Sequence, residues 1–210
     1  MKKIILFLLI ITSCTSQKKM NNTIEFKILD KSIVDNSFIN LEITNHTTSN
    51  YYLPIINLSD SEKWRYIISS DERRLFFIFK IGYNSRNEER HWYSENCNSE
   101  FDKELDKVDE LWRKKRKTIA VKDLILLKSS KSLKIRVPMN LYIKISTDCT
   151  WELENYKNEK ELKIAINYPK KEKELATKFL SSKTLDSLKQ MGYKLYDKEI
   201  KSNIVPLILK

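Results

Sequence analysis

Short segments in which apolar and polar residues alternate recur along the chain, and this pattern constrains the fold more than any other feature. The clearest examples are residues 24–28, 38–43, 132–137 and 162–168. Alternation with a period of two is typical of a strand with one buried and one solvated face. Turn-forming residues connect most of these segments. Helices would connect them in a parallel sheet, so the chain lacks the strand–helix alternation of that fold class. We therefore predict a mainly β fold with helical insertions, arranged as an antiparallel β-sandwich. Less regular segments predicted as strands are 64–68, 75–81, 119–127, 141–145, 151–153 and 202–209.

Two stretches depart from the period of two and favour helices, which we expect as insertions packed on a sheet or at one end of it. Residues 98–117 place apolar residues at helical spacing, with acidic residues in the first turns and basic residues in the last. This order complements the helix dipole. Residues 171–192 suggest two short helices, the second capped by Thr184 and closed by Gly192.

The first fourteen residues have the pattern of a leader. Two lysines precede an uncharged apolar run over residues 4–11, which is too short to span a bilayer, since that needs roughly 20 apolar residues. The run ends in Ile11-Thr12-Ser13-Cys14, which resembles the lipobox of bacterial lipoprotein signal peptides. The resemblance implies that signal peptidase II removes residues 1–13. It also implies that Cys14 becomes the first residue of the mature chain and carries acyl chains such as palmitate.

The lipobox resemblance implies a cellular location as well as a modification of Cys14. The chain would be exported to the cell envelope, at the outer membrane or its periplasmic face, and would contact the membrane through the lipid on Cys14. Residues 14–22 are polar and cationic, so we expect them to be the tether between lipid and fold. Two alternatives to a lipoprotein signal peptide remain for the N-terminal segment. One is an ordinary secretory leader with a coincidental cysteine, and the other is a buried N-terminal strand.

The remaining residues, 23–210, are enough for one sizeable core, and we expect a single domain there. Its opening strands and the closing segment 202–207 resemble immunoglobulin-like domains of small bacterial lipoproteins. This resemblance implies an immunoglobulin-like sandwich. The spacing of Cys, Trp and Cys in true immunoglobulin domains is absent, because Trp151 follows Cys149 by only two residues.

Cysteine usage leaves one candidate pair. The chain has three cysteines, so a lipidated Cys14 leaves Cys97 and Cys149. In an oxidising compartment an even remainder favours a disulfide, which the chain-entropy model credits with on the order of 4 kcal/mol. Two buried or unpaired thiols are the alternative, because sequence spacing does not show whether the two Cα atoms come within bridging distance.

Scarcity of glycine excludes several enzyme classes. Only Gly82 and Gly192 occur, whereas a typical chain has about 7% glycine. Phosphate-cradling loops, dinucleotide fingerprints and nucleophile elbows all need more. Neither His46 nor His91 has a partner at metal-ligand spacing, so we expect no metal and no cofactor.

The net charge of +11 bears on the choice of partner. A basic balance can mark binding to nucleic acid or to an anionic membrane. An exported lipoprotein meets little nucleic acid, so we expect none as a partner. A solvated, lysine-rich surface accounts for the charge, and attraction to anionic headgroups or polysaccharide is the alternative.

One segment has the composition of a binding surface. Large aromatic side chains in a polar loop can stack on sugars or anchor a protein interface, and they can equally pin the loop to the core. The candidate partner-binding residues are Arg90, His91, Trp92 and Tyr93.

We therefore expect a binding or scaffolding module for an envelope protein or a glycan, and binding rather than catalysis. The alternative is an envelope hydrolase that uses a carboxylate pair, although the sequence favours no particular pair. A structural lipoprotein whose basic face rests on anionic headgroups is a third interpretation. The oligomeric state does not follow from the sequence.

Replacement of Cys14 tests the anchor. Cys14→Ser should abolish incorporation of an alkyne-labelled palmitate, because the sulfur that carries the lipid is gone. Cys97→Ser is the matched control and should keep the label. An unlabelled wild-type chain would overturn the lipid anchor and leave the two alternatives, an ordinary secretory leader or a buried N-terminal strand.

Overall fold

The computed structural model describes residues 22–56, 74–83, 94–97, 101–141, 143–146, 149–152, 161–170 and 178–209. In these ranges the strands are β1 Ile24–Ile28, β2 Ile33–Val34, β3 Ser37–Asn45, β4 Tyr51–Ile56, β5 Ile78–Tyr83, β6 Ser94–Cys97, β7 Leu124–Leu127, β8 Ser132–Met139, β9 Ile143–Ser146, β10 Cys149–Glu152, β11 Leu162–Tyr168, β12 Lys194–Leu195, β13 Ile200–Lys201 and β14 Val205–Ile208. The helices are α1 Phe101–Arg116 and α2 Ser182–Gln190, and a 3-10 turn over Val121–Asp123 leads into β7.

The described strands form four sheets. Their strand orders are β1-β3-β8, β6-β10-β9, β12-β4-β7, and β13-β11-β14-β2 with β5 also paired to β11. The pairs β12–β4 and β14–β2 are parallel, and the other described pairs are antiparallel. The fold is mainly β with helical insertions in an open, multi-sheet, sandwich-like arrangement, which confirms the predicted fold class.

The first core lies between the inner face of sheet β1-β3-β8 and the sheet that contains β11. Burial alternates along β1 and β3, as the sequence pattern predicts. Phe26 of β1 meets Phe77 and Tyr168 edge-on, with ring centroids 6.0 and 6.5 Å apart. Burial raises the pKa of Tyr168, and its neutral hydroxyl donates a hydrogen bond to the carbonyl of Tyr196. An aromatic cluster therefore joins the two sheets.

Side chains satisfy the outer edge of β1. The Asn203 amide donates to the carbonyl of Ile28 (3.2 Å) and accepts from its N–H (2.7 Å). The N–H of Ile24 donates to the hydroxyl of Tyr196. An unpaired strand edge is a template for pairing with another chain. These bonds block that pairing and tie β1 to the segments that flank β13.

Strands β4 and β7 are buried on both faces. Leu53 and Ile125 pack in the first core, whereas Tyr52, Ile56 and Leu124 pack in a second core on the opposite face of the same sheet. The helical members of the second core are Val108 and Trp112 of α1 and Leu188 of α2. A strand with two buried faces has no polar phase, so β4 lacks the alternation that marks the other strands.

An irregularity in the pairing of β4 with β7 accommodates Pro54. The register shifts between Leu53 and Ile56, so two residues of β4 have no directly opposite partner in β7. Proline has no N–H to donate to the ladder, and a bulge is a position within a sheet where it is tolerated.

Several predicted elements are confirmed. β1 and β11 have the predicted bounds, and α1 lies within the predicted range 98–117. α2 ends next to Gly192, whose φ of 76° is the left-handed conformation that favours glycine. The predicted strand 64–68 lies outside the described residues.

Several boundaries differ from the prediction, including the following three. The predicted strand 75–81 begins only at Ile78. The predicted strand 119–127 opens with the 3-10 turn, because the Asp123 carboxylate accepts from the N–H of Ala120 and holds the chain in that turn. The cap of α2 is Ser181, whose hydroxyl accepts from the N–H of Thr184.

A buried asparagine fixes the end of β3. Asn45 is fully buried, and its amide nitrogen donates to the carbonyls of Ser49, Leu127 and Lys128. Its carbonyl oxygen accepts from the N–H and the hydroxyl of Thr47. One side chain therefore joins β3 to its own following turn and to the end of β7.

Asn45→Ala should lower the free energy of unfolding by about 2–4 kcal/mol, because it leaves several buried polar groups without partners. Urea denaturation followed by tryptophan fluorescence measures the change. The matched control is Asn40→Ala, at an exposed position of the same strand, which should cost less than about 1 kcal/mol. Equal losses in the two variants would contradict a structural role for the buried network.

Candidate functional site

Most of the predicted site residues lie outside the described part of the chain. These are the lipidation candidate Cys14 and the partner-binding candidates Arg90, His91, Trp92 and Tyr93. Of the predicted tether 14–22, only Asn22 is described, and it is exposed. These assignments stay predictions.

The structure brings the two remaining cysteines together. Cys97 ends β6, Cys149 begins β10, and the antiparallel register places the two residues directly opposite each other. Opposite residues in such a ladder have Cα atoms about 4.5–5.5 Å apart, within the range that a disulfide spans. The backbone therefore supplies the proximity that sequence spacing left open.

Two acidic residues of α1 form surface ion pairs. Asp109 accepts from Nε of Arg113 at 2.9 Å, and Glu110 lies 2.8 Å from Nζ of Lys114, each pair one helical turn apart. The hydrogen bond with Lys114 lowers the pKa of the Glu110 carboxyl. A general acid needs a raised pKa, so the Glu110 carboxyl is not suited to acid catalysis.

A buried carboxylate elsewhere has a structural set of partners. Asp35 is 2% exposed, and its Oδ1 accepts from the N–H groups of Asn36 (2.8 Å) and Leu141 (2.9 Å). Its own N–H donates to the carbonyl of Ile208. Asp35 therefore stabilises the junction between β2, β14 and the chain after β8.

The described residues contain no group of three or more His, Cys, Asp or Glu side chains placed to hold a metal ion. Nε2 of His46 lies 2.9 Å from Oε2 of Glu25, and both side chains are exposed at the surface. None of the helices in the described ranges is long and apolar enough to cross a membrane.

The outer face of sheet β1-β3-β8 carries an apolar patch. Phe38 is 47% exposed and lies directly opposite Pro138 in the ladder between β3 and β8. Leu29, 40% exposed, lies across from Asn40, because its N–H donates to the Asn40 carbonyl. Arg136 lies opposite Asn40 on the other side. We call Leu29, Phe38, Arg136 and Pro138 the Phe38 surface.

Within the Phe38 surface, a cation covers an aromatic ring. The guanidinium carbon of Arg136 lies 4.2 Å from the centroid of the Phe38 ring. Such cation–π contacts contribute about 0.5–1 kcal/mol at exposed sites, and they hold the guanidinium in a defined orientation. The Phe38 surface is therefore an ordered combination of apolar area and positive charge.

Buried residues support the Phe38 surface from beneath, and charged residues lie beside it. Ile39 and Leu41 alternate with Phe38 and Asn40 along β3 and are fully buried, so packing fixes the strand beneath the patch. In the next row of the same face, Lys134 lies 3.8 Å from Glu42. A polar rim around an apolar centre is the usual arrangement of a protein interface.

Sequence reasoning missed the Phe38 surface, although the sequence contains its signal. In residues 38–43, Phe38 occupies the same phase as Asn40 and Glu42, which is the solvated phase of the strand. A large aromatic residue in the polar phase marks an exposed ring. Arg136 and Pro138 hold the same phase in β8, but their register with β3 needs the structure.

Comparison of the chain with protein-family models, with curated proteins and with solved structures gives no match.

Proposed function

We propose that this protein is a lipid-anchored cell-envelope protein that binds another protein through the Phe38 surface. The observation that carries the proposal is the pairing of an exposed aromatic ring with a guanidinium on the outer face of a well-packed sheet. Aromatic and arginine side chains are enriched at protein interfaces, and arginine is common among the residues that dominate their binding energy. Burial of Phe38 and Leu29 by a partner would remove apolar area from water.

The chemistry of the Phe38 surface favours a protein partner over a glycan. A sugar stacks on an open ring face, whereas the Arg136 guanidinium covers one face of Phe38. The guanidinium presents donors in a planar fork that matches a carboxylate. The partner surface should therefore present an apolar side chain beside an aspartate or glutamate.

The lipobox resemblance supports the anchoring part of the proposal. Each buried CH₂ group of an acyl chain contributes about 0.8 kcal/mol, and stable anchoring needs a second membrane-binding signal, such as another acyl chain. A polar tether after Cys14 would leave the folded part free to reach a partner in the same membrane or beside it. Confinement near the membrane raises the effective concentration of two anchored partners.

No observation in the described ranges favours the alternative, a hydrolase with a carboxylate pair. The ion pairs of α1 are solvated, and Asp35 is occupied by backbone N–H groups. We therefore propose binding alone.

Alteration of the Phe38 surface should weaken binding without unfolding the chain. In vivo crosslinking of the wild-type chain followed by mass spectrometry identifies the partner, and the purified pair gives a Kd. The double substitution Phe38→Ala with Arg136→Ala should raise that Kd at least about tenfold, because it removes the ring and the cation together. Leu111→Ala is the matched control, since Leu111 is 58% exposed and lies on α1, which packs in the second core.

A second pair of substitutions separates the two candidate surfaces. Trp92→Ala with Tyr93→Ala should leave the Kd within about threefold of wild type if the Phe38 surface is the binding site. Loss of binding in this variant, with full binding after substitution of Phe38 and Arg136, would assign binding to the segment of residues 90–93. Capture of a polysaccharide in place of a protein would overturn the proposed class of partner.

A further inference from the structure

We propose that Cys97 and Cys149 form a disulfide that ties β6 to β10, the middle strand of sheet β6-β10-β9. The two residues are direct partners in the antiparallel register, and the same register continues through the pairs Asn96–Thr150, Glu95–Trp151 and Ser94–Glu152. The pairing of the cysteines is therefore part of a continuous ladder. This inference does not depend on what the protein binds.

The register makes the match specific to these two positions. Opposite residues have Cα atoms about 4.5–5.5 Å apart, and disulfides span about 4.4–6.8 Å. Successive residues of a strand point to opposite faces of the sheet. A cysteine one residue further along β10, at the position of Thr150, would lie opposite Asn96 and on the other face.

The bond would enclose a large part of the fold in one covalent loop. The chain between Cys97 and Cys149 contains α1, β7, β8 and β9. It therefore includes Trp112 of the second core and Arg136 of the Phe38 surface. Closing a long loop restricts the unfolded chain more than the folded one, so the crosslink stabilises the folded state.

Formation of the bond needs an oxidant that itself carries a disulfide. The thiolate of one cysteine attacks the oxidant's disulfide and forms a mixed disulfide, releasing one thiol of the oxidant. The second cysteine's thiolate then attacks the protein sulfur of that mixed disulfide and releases the other thiol. Two protons and two electrons pass from the protein to the oxidant. Oxidised glutathione serves in vitro, and an exported chain meets oxidants of this kind in an oxidising compartment.

The test uses the full-length chain carrying Cys14→Ser, which leaves Cys97 and Cys149 as its two cysteines. After incubation with oxidised glutathione, iodoacetamide is added in denaturant without reductant, and the intact mass is measured. We expect no alkylated thiols, no glutathione adduct and a peptide in which the two cysteines are linked. Reduction should lower the thermal midpoint by roughly 5–15 °C.

A shifted cysteine supplies the matched control. The additional pair of substitutions Cys149→Ser and Thr150→Cys keeps two cysteines but moves one to the other face of β10, so it should leave two thiols open to alkylation or glutathionylation. Two reactive thiols in the chain with both native cysteines would overturn the proposal. Equally efficient linkage in the shifted variant would also overturn it, because the register would then not determine the bond.

Discussion

Burial of β4 and β7 on both faces is the constraint on which the rest of the described fold depends. One face of their sheet packs in the first core through Leu53 and Ile125, and the other packs against the helices through Tyr52 and Leu124. Each core therefore needs the other to keep this sheet out of water. The apolar face of each of the helices α1 and α2 follows, since Trp112 and Leu188 cover the face of the sheet that the first core leaves open.

Sheet β1-β3-β8 has the opposite arrangement, and that difference leaves a surface available for binding. Its inner face supplies Phe26, Ile39 and Leu41 to the first core, whereas its outer face meets solvent. Asn203 and Tyr196 satisfy the edge of β1, so edge-to-edge pairing with another chain is hindered there. Beside that edge, the outer face of the sheet remains accessible to a partner. Phe38 and Arg136 lie on it over a packed strand, so their positions are fixed before a partner arrives.

The sequence predicts elements whose burial is one-sided more exactly than elements whose burial is two-sided or depends on register: of the two strands buried on both faces, β7 is predicted with a wrong start and β4 is not predicted. β1 and β8 alternate in sequence because one of their faces is solvated, and both were predicted. The alternation of β11 was predicted as well, although Asn167 in its polar phase is buried. β4 has no polar phase to reveal it, and the two-residue strands β2 and β12 are too short to carry a pattern. Thr184 resembles a helix cap by residue type, but its hydroxyl donates to Ile119 and Ser181 provides the cap.

In the candidate sites, too, the sequence contains a signal for the residues, and the strand pairing shows which of them are neighbours. Residue type alone identified Cys97 and Cys149 as a pair, and the ladder between β6 and β10 was needed to place them opposite each other. The Phe38 surface combines residues of β3 and β8 with Leu29, which follows β1, and strand pairing, not distance along the chain, brings them together. An alternating pattern states which face a side chain occupies, and it does not state which strands are adjacent.

Photocrosslinking from position 38 tests the central claim most directly. A benzophenone-bearing phenylalanine in place of Phe38 keeps an aromatic ring on the outer face of the sheet and reacts with groups in contact with it. In intact cells, irradiation should give a covalent adduct with one protein from position 38, and the same amino acid at the exposed position 111 of α1 should give none. Absence of a protein adduct from position 38, or equal adducts from both positions, would contradict binding through the Phe38 surface.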